Sequence, residues 1–272
     1  MKTAIAFQHV KKAYGEKTVL RDFCLSIKKG EFVTIIGSSG CGKTTALKMV
    51  NGLLTPDQGE ILVNGEDIRG KDQTQLRRNI GYAIQGSVLF PHMTVEQNIA
   101  YVPNLINRKN REKTREAVRK WMEIVGLDEE LKDRYPSELS GGQQQRVGIA
   151  RSLAASPDIL LMDEPFGAVD EITRGQLQNE LRRIYEQTGI TVLFVTHDIS
   201  EALKLGTKVL VMDGGEIQQY ASPDELLRHP ATAFVRRLVD QQRRVCHLPE
   251  EKLGDCEYSG VGCETATEAE IR

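Results

Sequence analysis

Residues 37–44 have the types and spacing that bind the phosphates of a nucleotide. They read Gly-Ser-Ser-Gly-Cys-Gly-Lys-Thr and fit the pattern G-x-x-x-x-G-K-[ST] between a predicted strand and a predicted helix. Glycines let consecutive backbone N–H groups surround a phosphate, and the helix N-terminus adds partial positive charge. The lysine can neutralise the β- and γ-phosphates, and the final threonine can ligate Mg²⁺. The predicted nucleotide-binding residues of this loop are Gly37, Ser38, Ser39, Gly40, Cys41, Gly42, Lys43 and Thr44.

Two adjacent carboxylates, Asp163 and Glu164, follow the apolar run 159–162. A buried strand would deliver Asp163 to the sheet edge where phosphates bind, and there it would hold Mg²⁺ through water. Glu164 points differently and is placed to polarise an attacking water, since phosphoryl transfer depends on positioning and charge stabilisation. Alone, Glu164 before Pro165 would be read as a surface carboxylate. Its position directly after Asp163 favours the catalytic interpretation.

A second glycine-rich turn, Leu139-Ser140-Gly141-Gly142-Gln143, precedes a predicted helix over 143–155. The N-terminus of that helix would also bind an anion. One nucleotide has no evident need for two such cradles.

These segments, together with His197, resemble the ATP-binding cassette of ABC transporters over roughly residues 3–240. The resemblance implies an ATPase that uses ATP and Mg²⁺ and whose cassettes dock head to tail as a homodimer. It then explains the second cradle, because the turn of one subunit contacts the γ-phosphate bound by its partner. The residues implied to act in trans are Ser140, Gly141, Gly142 and Gln143.

The resemblance assigns further roles to residues outside these segments. Tyr14 would stack on adenine, Thr45 would lie at the nucleotide, and Gln85 would join Thr44 and Asp163 at the metal. His197 would contact the γ-phosphate and act with Glu164 in catalysis, and Asp170 would lie in the loop linking the two sites of the dimer. Taken singly, Tyr14 could instead cap a hairpin and His197 could be structural. The order of the whole set favours the functional roles.

The elements that position these residues follow from hydropathy. Apolar alternation at 5–7 and 19–27 predicts antiparallel strands around a turn at Tyr14-Gly15-Glu16-Lys17. Apolar runs at 31–36, 80–84, 159–162 and 191–195 predict buried parallel strands, and 43–50 predicts a helix. Between 85 and 157 only helical spacing is found, with Gly126 as a helix cap. Strands at 209–212 and 216–220 predict a hairpin, followed by a helix capped by Ser222.

The predicted fold class is α/β: a P-loop NTPase cassette with a RecA-like parallel-sheet core, a small antiparallel β layer and a helical subdomain. The nucleotide-binding domain is expected over 1–240, with the helical subdomain at about 88–156. Residues 241–272 are expected to form an acidic, flexible tail, and its Cys246, Cys256 and Cys263 lack the paired spacing of a metal site. That tail is too short for the paired cystathionine-β-synthase-type modules that some relatives append.

Composition excludes several classes of protein. The chain has 272 residues, 36 basic and 38 acidic, and this balance gives no reason to expect nucleic-acid binding. No apolar run approaches the ~20 residues of a membrane span, and Lys11 and Lys12 interrupt any signal sequence. Five scattered cysteines fit a reducing compartment. These features predict a cytosolic chain. The resemblance to ABC transporters implies in addition that an integral membrane permease holds it at the cytoplasmic face of the cell membrane.

Within the family, segments 76–85, 89–95 and 98–100 resemble the cassettes of bacterial importers of quaternary-amine osmoprotectants such as glycine betaine, choline or carnitine. The resemblance implies an extracytoplasmic solute-binding protein as an indirect partner. Relatives that carry ergothioneine, polyamines or methionine are the alternative. A soluble cassette ATPase acting on DNA or ribosomes is disfavoured because the chain has neither long heptads nor a second phosphate loop. A regulator that does not hydrolyse ATP is disfavoured by Glu164 and His197.

Overall fold

Two β-sheets organise this computed structural model, which describes residues 2–84, 89–107, 110–167 and 170–243, with side chains through 240. The strands are β1 (Thr3–Tyr14), β2 (Lys17–Lys28), β3 (Phe32–Gly37), β4 (Gln58–Val63), β5 (Glu66–Asp67), β6 (Ile80–Ala83), β7 (Ile159–Asp163), β8 (Thr191–Val195), β9 (Lys208–Asp213) and β10 (Glu216–Ala221). The helices are α1 (Lys43–Val50), α2 (Gln73–Arg78), α3 (Val95–Ile106), α4 (Arg111–Ile124), α5 (Gly141–Leu153), α6 (Glu171–Thr188), α7 (Ile199–Leu205), α8 (Pro223–Arg228) and α9 (Ala233–Arg243).

The smaller sheet is antiparallel and has the strand order β2-β1-β4-β5. The predicted hairpin is confirmed, with Tyr14 paired to Lys17 across the turn. β4, which pairs with β1, was not predicted from the sequence. Its sequence, Gln-Gly-Glu-Ile-Leu-Val, has three polar or glycine residues followed by three apolar ones, so it lacks the apolar alternation that marks a strand.

The larger sheet has the order β10-β9-β3-β8-β7-β6. Its strands from β9 to β6 run parallel, and β10 is added at one edge through the predicted hairpin with β9. The predicted buried strands at 31–36, 80–84, 159–162 and 191–195 are confirmed within one residue at each end. Every residue of β7 and β8 is buried, because helices or the smaller sheet cover both faces.

Alternation along each central strand divides the core into two layers. Leu160 and Met162 point to a cluster that includes residues of helices α3 to α6, whereas Ile159 and Leu161 point to a cluster with α1 and the antiparallel sheet. A third cluster packs α7, α8 and α9 against β3 and β9. The parallel sheet is therefore the rigid layer on which both sets of elements rest.

Between β6 and β7, the described residues form α3, α4, α5 and short 3-10 turns. α4 ends just before Gly126, which adopts φ +64° as expected of a helix cap. α5 begins at Gly141, two residues before its predicted start, because Ser140 and Gln143 form a reciprocal capping box. The assignment of this segment as an inserted subdomain stays a prediction, and residues 244–272 lie outside the described part of the chain.

Candidate functional site

The predicted phosphate loop, the two carboxylates and His197 lie at one edge of the parallel sheet. β8 lies between β3 and β7, and Val195 at the end of β8 aligns with Ile35 on one side and Asp163 on the other. Since all three strands run in the same direction, the segments that leave their carboxyl ends meet at this edge. The fold thus assembles residues from three distant parts of the sequence.

Lys43 occupies the centre of the phosphate loop. Its side chain is largely buried, and Nζ donates hydrogen bonds to the carbonyl oxygens of Gly37 at 2.9 Å and Ser38 at 3.0 Å. The lysine thereby closes the loop on itself at the N-terminus of α1. A cation and a helix N-terminus at one point create a site for phosphate.

Two glycines of the loop cannot carry a side chain. A Cβ on Gly37 would collide with the backbone carbonyl of Met212, and a Cβ on Gly42 would lie 2.7 Å from Leu20. Gly42 also adopts φ +104°, which L residues rarely adopt. The close approach of β9 and β2 therefore fixes the glycine positions of the motif.

The other loop residues anchor or line the cradle. Ser38 Oγ donates to Asp213 Oδ1 at 2.6 Å, while Ser39 and Gly40 are exposed. Cys41 is buried and packs in the hydrophobic core beneath the loop. This burial raises the pKa of its thiol, and the Lys43 charge opposes the increase. Thr45 is half-buried in the first turn of α1.

Asp163 and Thr44 form the oxygen pair expected of a magnesium site. Thr44 Oγ1 donates to Asp163 Oδ1 at 3.0 Å. Burial raises the pKa of Asp163, whereas the Thr44 hydrogen bond lowers it and the neighbouring Glu164 charge raises it. A hydroxyl and a carboxylate are ligands that Mg²⁺ prefers, so these residues fit the ion. Gln85, the third predicted ligand, lies outside the described residues.

Glu164 is held in an uncommon backbone conformation. Its φ is +45°, at a cost of about 1–3 kcal/mol for a non-glycine residue, and its N–H donates to Val195 O at 2.9 Å. The Glu164 carboxylate faces His197, with Oε2 3.3 Å from Nδ1. The predicted catalytic pair is thus brought together, with His197 exposed and Glu164 half-buried.

A buried polar cluster below His197 was not predicted from the sequence. Thr196 Oγ1 donates to Glu201 Oε2 at 2.6 Å, and Gln178 Nε2 donates to Glu201 Oε1 at 3.2 Å. Glu201 is 5% exposed, and burial raises its pKa. In the sequence, the pattern Thr-His-Asp-Ile-Ser-Glu indicates only a helix capped by the aspartate. The structure shows that cap, in which Asp198 accepts from the N–H groups of Ser200 and Glu201.

Tyr14 stands at the end of β1, 49% exposed. The hairpin that carries it approaches the phosphate loop, since a Cβ on Gly40 would lie 3.7 Å from Lys17 Nζ. An exposed aromatic ring beside the loop is available for a base to stack on.

The second glycine turn belongs to a different part of the molecule. Ser140 caps α5 by accepting from Gln143 N at 3.2 Å, and Gly141 is exposed. A Cβ on Gly142 would lie 2.7 Å from Thr173 at the start of α6, which Asp170 caps. The Thr173 hydrogen bonds lower the pKa of Asp170. The structure therefore groups this turn with Asp170, while α5 packs on α3, α4 and β6.

One contact that the sequence did not predict joins this group to the edge of the parallel sheet that carries Glu164. The buried Gln145 of α5 donates its side-chain amide to the carbonyl of Pro165, directly after Glu164. Nothing in the sequence distinguishes this glutamine from its neighbours Gln143 and Gln144.

Comparisons with known proteins agree with this geometry. The family model described as ABC transporter matches residues 20–167. The carnitine transport ATP-binding protein OpuCA of Listeria monocytogenes is 49% identical over 247 residues, 90% of this chain and 62% of its own length. The glycine betaine uptake system ATP-binding protein YehX of Escherichia coli is 49% identical over 233 residues, 86% of this chain and 75% of its own length.

A solved structure shows the same fold. The dimeric ATP-binding cassette MJ0796, in a post-hydrolysis state bound to ADP and phosphate, aligns with a TM-score of 0.73 and 34% identity over 80% of this chain and 98% of its own. The present chain spans 62% of the length of the OpuCA relative. The family match covers more than half of the chain, and YehX is matched over three quarters of its length. The chain therefore belongs to the ABC transporter family, of which it carries the ATP-binding cassette.

Proposed function

We propose that this chain hydrolyses ATP with Mg²⁺ to drive a membrane importer. The observation that carries the proposal is the convergence of Lys43, the Thr44–Asp163 pair and the Glu164–His197 pair at one sheet edge. Phosphoryl transfer requires mainly placement and charge stabilisation, and these side chains supply both.

Each residue has a distinct task in this proposal. The phosphate loop and Lys43 bind the phosphates, and Tyr14 stacks on the adenine. Glu164 accepts hydrogen bonds from the attacking water and takes its proton, while the exposed His197 contacts the γ-phosphate. Thr44, Asp163 and Gln85 would hold Mg²⁺, which would neutralise phosphate charge.

The site is completed by a second copy of the chain. Ser140, Gly141, Gly142 and Gln143 lie with Asp170 on a separate helix-start surface, so they serve the partner's nucleotide in a head-to-tail homodimer. The dimeric state of MJ0796 supports this arrangement. Gly141 suits such a contact because it is exposed and a Cβ there would meet nothing within 4 Å.

Replacing Glu164 tests the hydrolytic step. Glu164→Gln keeps the size of the side chain but removes its basicity, so turnover should fall by about 10² or more while ATP affinity is retained. Steady-state ATPase and equilibrium nucleotide binding on the purified chain measure the two quantities. Glu186→Gln, a change at an exposed carboxylate, is the matched control. Wild-type turnover in Glu164→Gln would remove this residue from the mechanism.

The proposed cargo is a quaternary-amine osmoprotectant. Relatives at 46–49% identity carry carnitine, choline or glycine betaine in their names, whereas sulfate/thiosulfate cassettes match at 41–43%. The proposed partners are a permease, which holds the chain at the cytoplasmic face of the membrane, and a solute-binding protein that acts through the permease.

Uptake by cells tests the cargo separately from the chemistry. In the source organism, deletion of the gene should abolish its share of labelled glycine betaine, choline or carnitine uptake at high osmolarity. Wild-type and Glu186→Gln alleles should restore uptake, and Glu164→Gln should not. Lost uptake of sulfate, a polyamine or an amino acid instead would reassign the cargo and leave the ATPase proposal intact.

A further inference from the structure

Three metal-binding side chains converge on the exposed surface of the antiparallel sheet, among residues that the nucleotide site does not use. His9 Nδ1 lies 3.0 Å from Asp22 Oδ1, and Cys24 Sγ lies 3.6 Å from the same ring nitrogen. All three donor atoms lie within 4.8 Å of one another. In the part of the chain that the structure describes, this is the one such group of histidine, cysteine and carboxylate side chains.

A bulge in β1 creates this convergence. The pairing of Phe7 with Leu25 is followed by that of Val10 with Phe23, so Gln8 and His9 together oppose Cys24. His9 adopts φ +50°, which is uncommon for a non-glycine residue, and its N–H donates to Cys24 Sγ at 3.3 Å. Asp22 and Cys24 are two residues apart on β2 and share its exposed face. The irregular backbone thus places the imidazole over both side chains.

The spacing of the donor atoms fits tetrahedral zinc. With Zn–S near 2.3 Å and Zn–N near 2.05 Å, tetrahedral angles place sulfur and nitrogen about 3.6 Å apart and nitrogen and a carboxylate oxygen about 3.3 Å apart. The observed separations are 3.6 and 3.0 Å. The sulfur and the carboxylate oxygen lie within 4.8 Å of each other, so rotation of these exposed side chains can bring all three donor atoms to one ion.

The ligand types select the class of metal. Thiolate and imidazole favour zinc and similar transition metals, whereas Mg²⁺ and Ca²⁺ prefer oxygen ligands. We propose that His9, Asp22 and Cys24 bind one zinc ion on the outer sheet, with the fourth position open to water. The site lies outside the nucleotide-binding edge, on strands that carry exposed side chains at these positions.

Binding requires that the thiol lose its proton to solvent and that the imidazole be neutral, so affinity must weaken as pH falls. The test uses the purified full chain, stripped of metal and free of nucleotide, because ATP itself binds divalent ions. Titration with Co²⁺ should saturate at one ion per chain. The bound cobalt should show the visible absorption bands of a tetrahedral ion and a thiolate-to-metal charge-transfer band. Zn²⁺ should displace the cobalt and abolish both.

Three variants and two controls locate the ion. Cys24→Ser, Asp22→Asn and His9→Asn should each weaken Zn²⁺ binding at least about tenfold. Asparagine tolerates the left-handed backbone, so the bulge is kept. The Cys246, Cys256 and Cys263 triple serine variant and His229→Asn should bind like wild type. Circular dichroism in chelator verifies that each variant is folded.

A measurement on the unaltered chain covers the case in which a variant fails to fold. Zn²⁺ should slow alkylation of Cys24 by iodoacetamide at least tenfold, as mapped by mass spectrometry, and leave Cys246 unchanged. The proposal is overturned if no saturable binding occurs at micromolar metal. Binding that survives Cys24→Ser and His9→Asn, or that disappears in the triple variant, also overturns it.

Discussion

Burial separates the residues that build the proposed nucleotide site from those that we propose contact the ligand there. Lys43 and Asp163 are nearly inaccessible and tied to their neighbours by hydrogen bonds, whereas Tyr14 and His197 are exposed. Substitutions at exposed positions usually change stability by less than about 0.5 kcal/mol. Their effects on nucleotide binding can therefore be interpreted without a correction for folding.

Tyr14 illustrates this at the scale of one side chain. Tyr14→Ala should lower ATP affinity by the loss of one stacking partner, roughly 1–3 kcal/mol, and leave the hydrolysis rate of bound ATP nearly unchanged. Tyr14→Phe keeps the ring and should bind like wild type. Equilibrium binding and single-turnover hydrolysis measure the two properties. If the alanine variant keeps its affinity, Tyr14 is only the cap of its hairpin.

At the scale of elements, the phosphate loop depends on the strands that surround it. Gly37→Ala would place a methyl group against the backbone carbonyl of Met212, and neither β3 nor β9 can withdraw from the core. We expect the free energy of unfolding to fall by roughly 1–3 kcal/mol, together with nucleotide affinity. Chemical denaturation and ATP binding report both. Gly141→Ala, with open space at its Cβ, is the control and should unfold like wild type.

The buried carboxylate of Glu201, at the start of α7, supports the loop that contains His197 by accepting a hydrogen bond from Thr196. The pKa of Glu201 is raised, chiefly by burial and also by the charge of Asp198. Hydrogen bonds from Thr196 and Gln178 and the charge of Arg174 oppose this increase. The folded protein thus holds this proton more tightly than the unfolded chain, whose glutamate titrates near 4.5. The contribution to stability is complete below pH 4.5 and is lost as pH rises through the raised pKa.

Glu201→Gln removes this titration and keeps the size of the side chain. The Thr196 hydroxyl can rotate to accept from the new amide, so the cluster stays bonded. The stability of the variant relative to wild type should therefore increase as pH rises from about 4.5 to 7. Urea denaturation across this range measures the difference, with Glu186→Gln as the exposed control. A difference that does not change with pH would show that Glu201 titrates alike in both states.

At the scale of the whole molecule, the proposed dimer takes two half-sites from each chain. The phosphate loop lies at the sheet edge, and the turn at Ser140 is grouped with the start of α6. A dimer that unites them obeys mass action, so ATPase activity per chain should rise with protein concentration and then saturate.

Gly141→Asp should prevent this dimer from forming. A carboxylate at the surface turn would face the partner's γ-phosphate, and like charges repel. We expect loss of ATP-driven dimerisation, measured by sedimentation, with affinity for ATP at the chain's own loop retained. Gly141→Asn has the same size without the charge and should dimerise better. Normal dimerisation and turnover in Gly141→Asp would contradict a site shared between subunits.

Mixing two inactive variants gives a second test of whether each nucleotide site is formed by both subunits. A heterodimer of Gly141→Asp and Lys43→Ala chains has one composite site damaged twice and one intact. ATPase activity above that of either parent is expected where the two sites act independently.

The sequence alone determined the local chemistry and most of the elements that carry it. The phosphate loop, the Asp163–Glu164 pair and the buried strands were predictable because a motif and an apolar run are read from neighbouring residues. β4 was missed because its three apolar residues are adjacent in sequence and do not alternate with polar ones. The start of α5 was misplaced by two residues because the capping box of Ser140 and Gln143 begins the helix earlier.

Only the tertiary structure decided which distant residues meet. The register of β3, β8 and β7 brings Glu164 to His197. The close approach of β9 explains why position 37 must be glycine. Glu201 and Gln145 become buried only when α7 and α5 pack on the rest of the fold. The bulge that joins His9 to Cys24 likewise arises from pairing between strands. These features depend on contacts between residues far apart in sequence, which local periodicity does not encode.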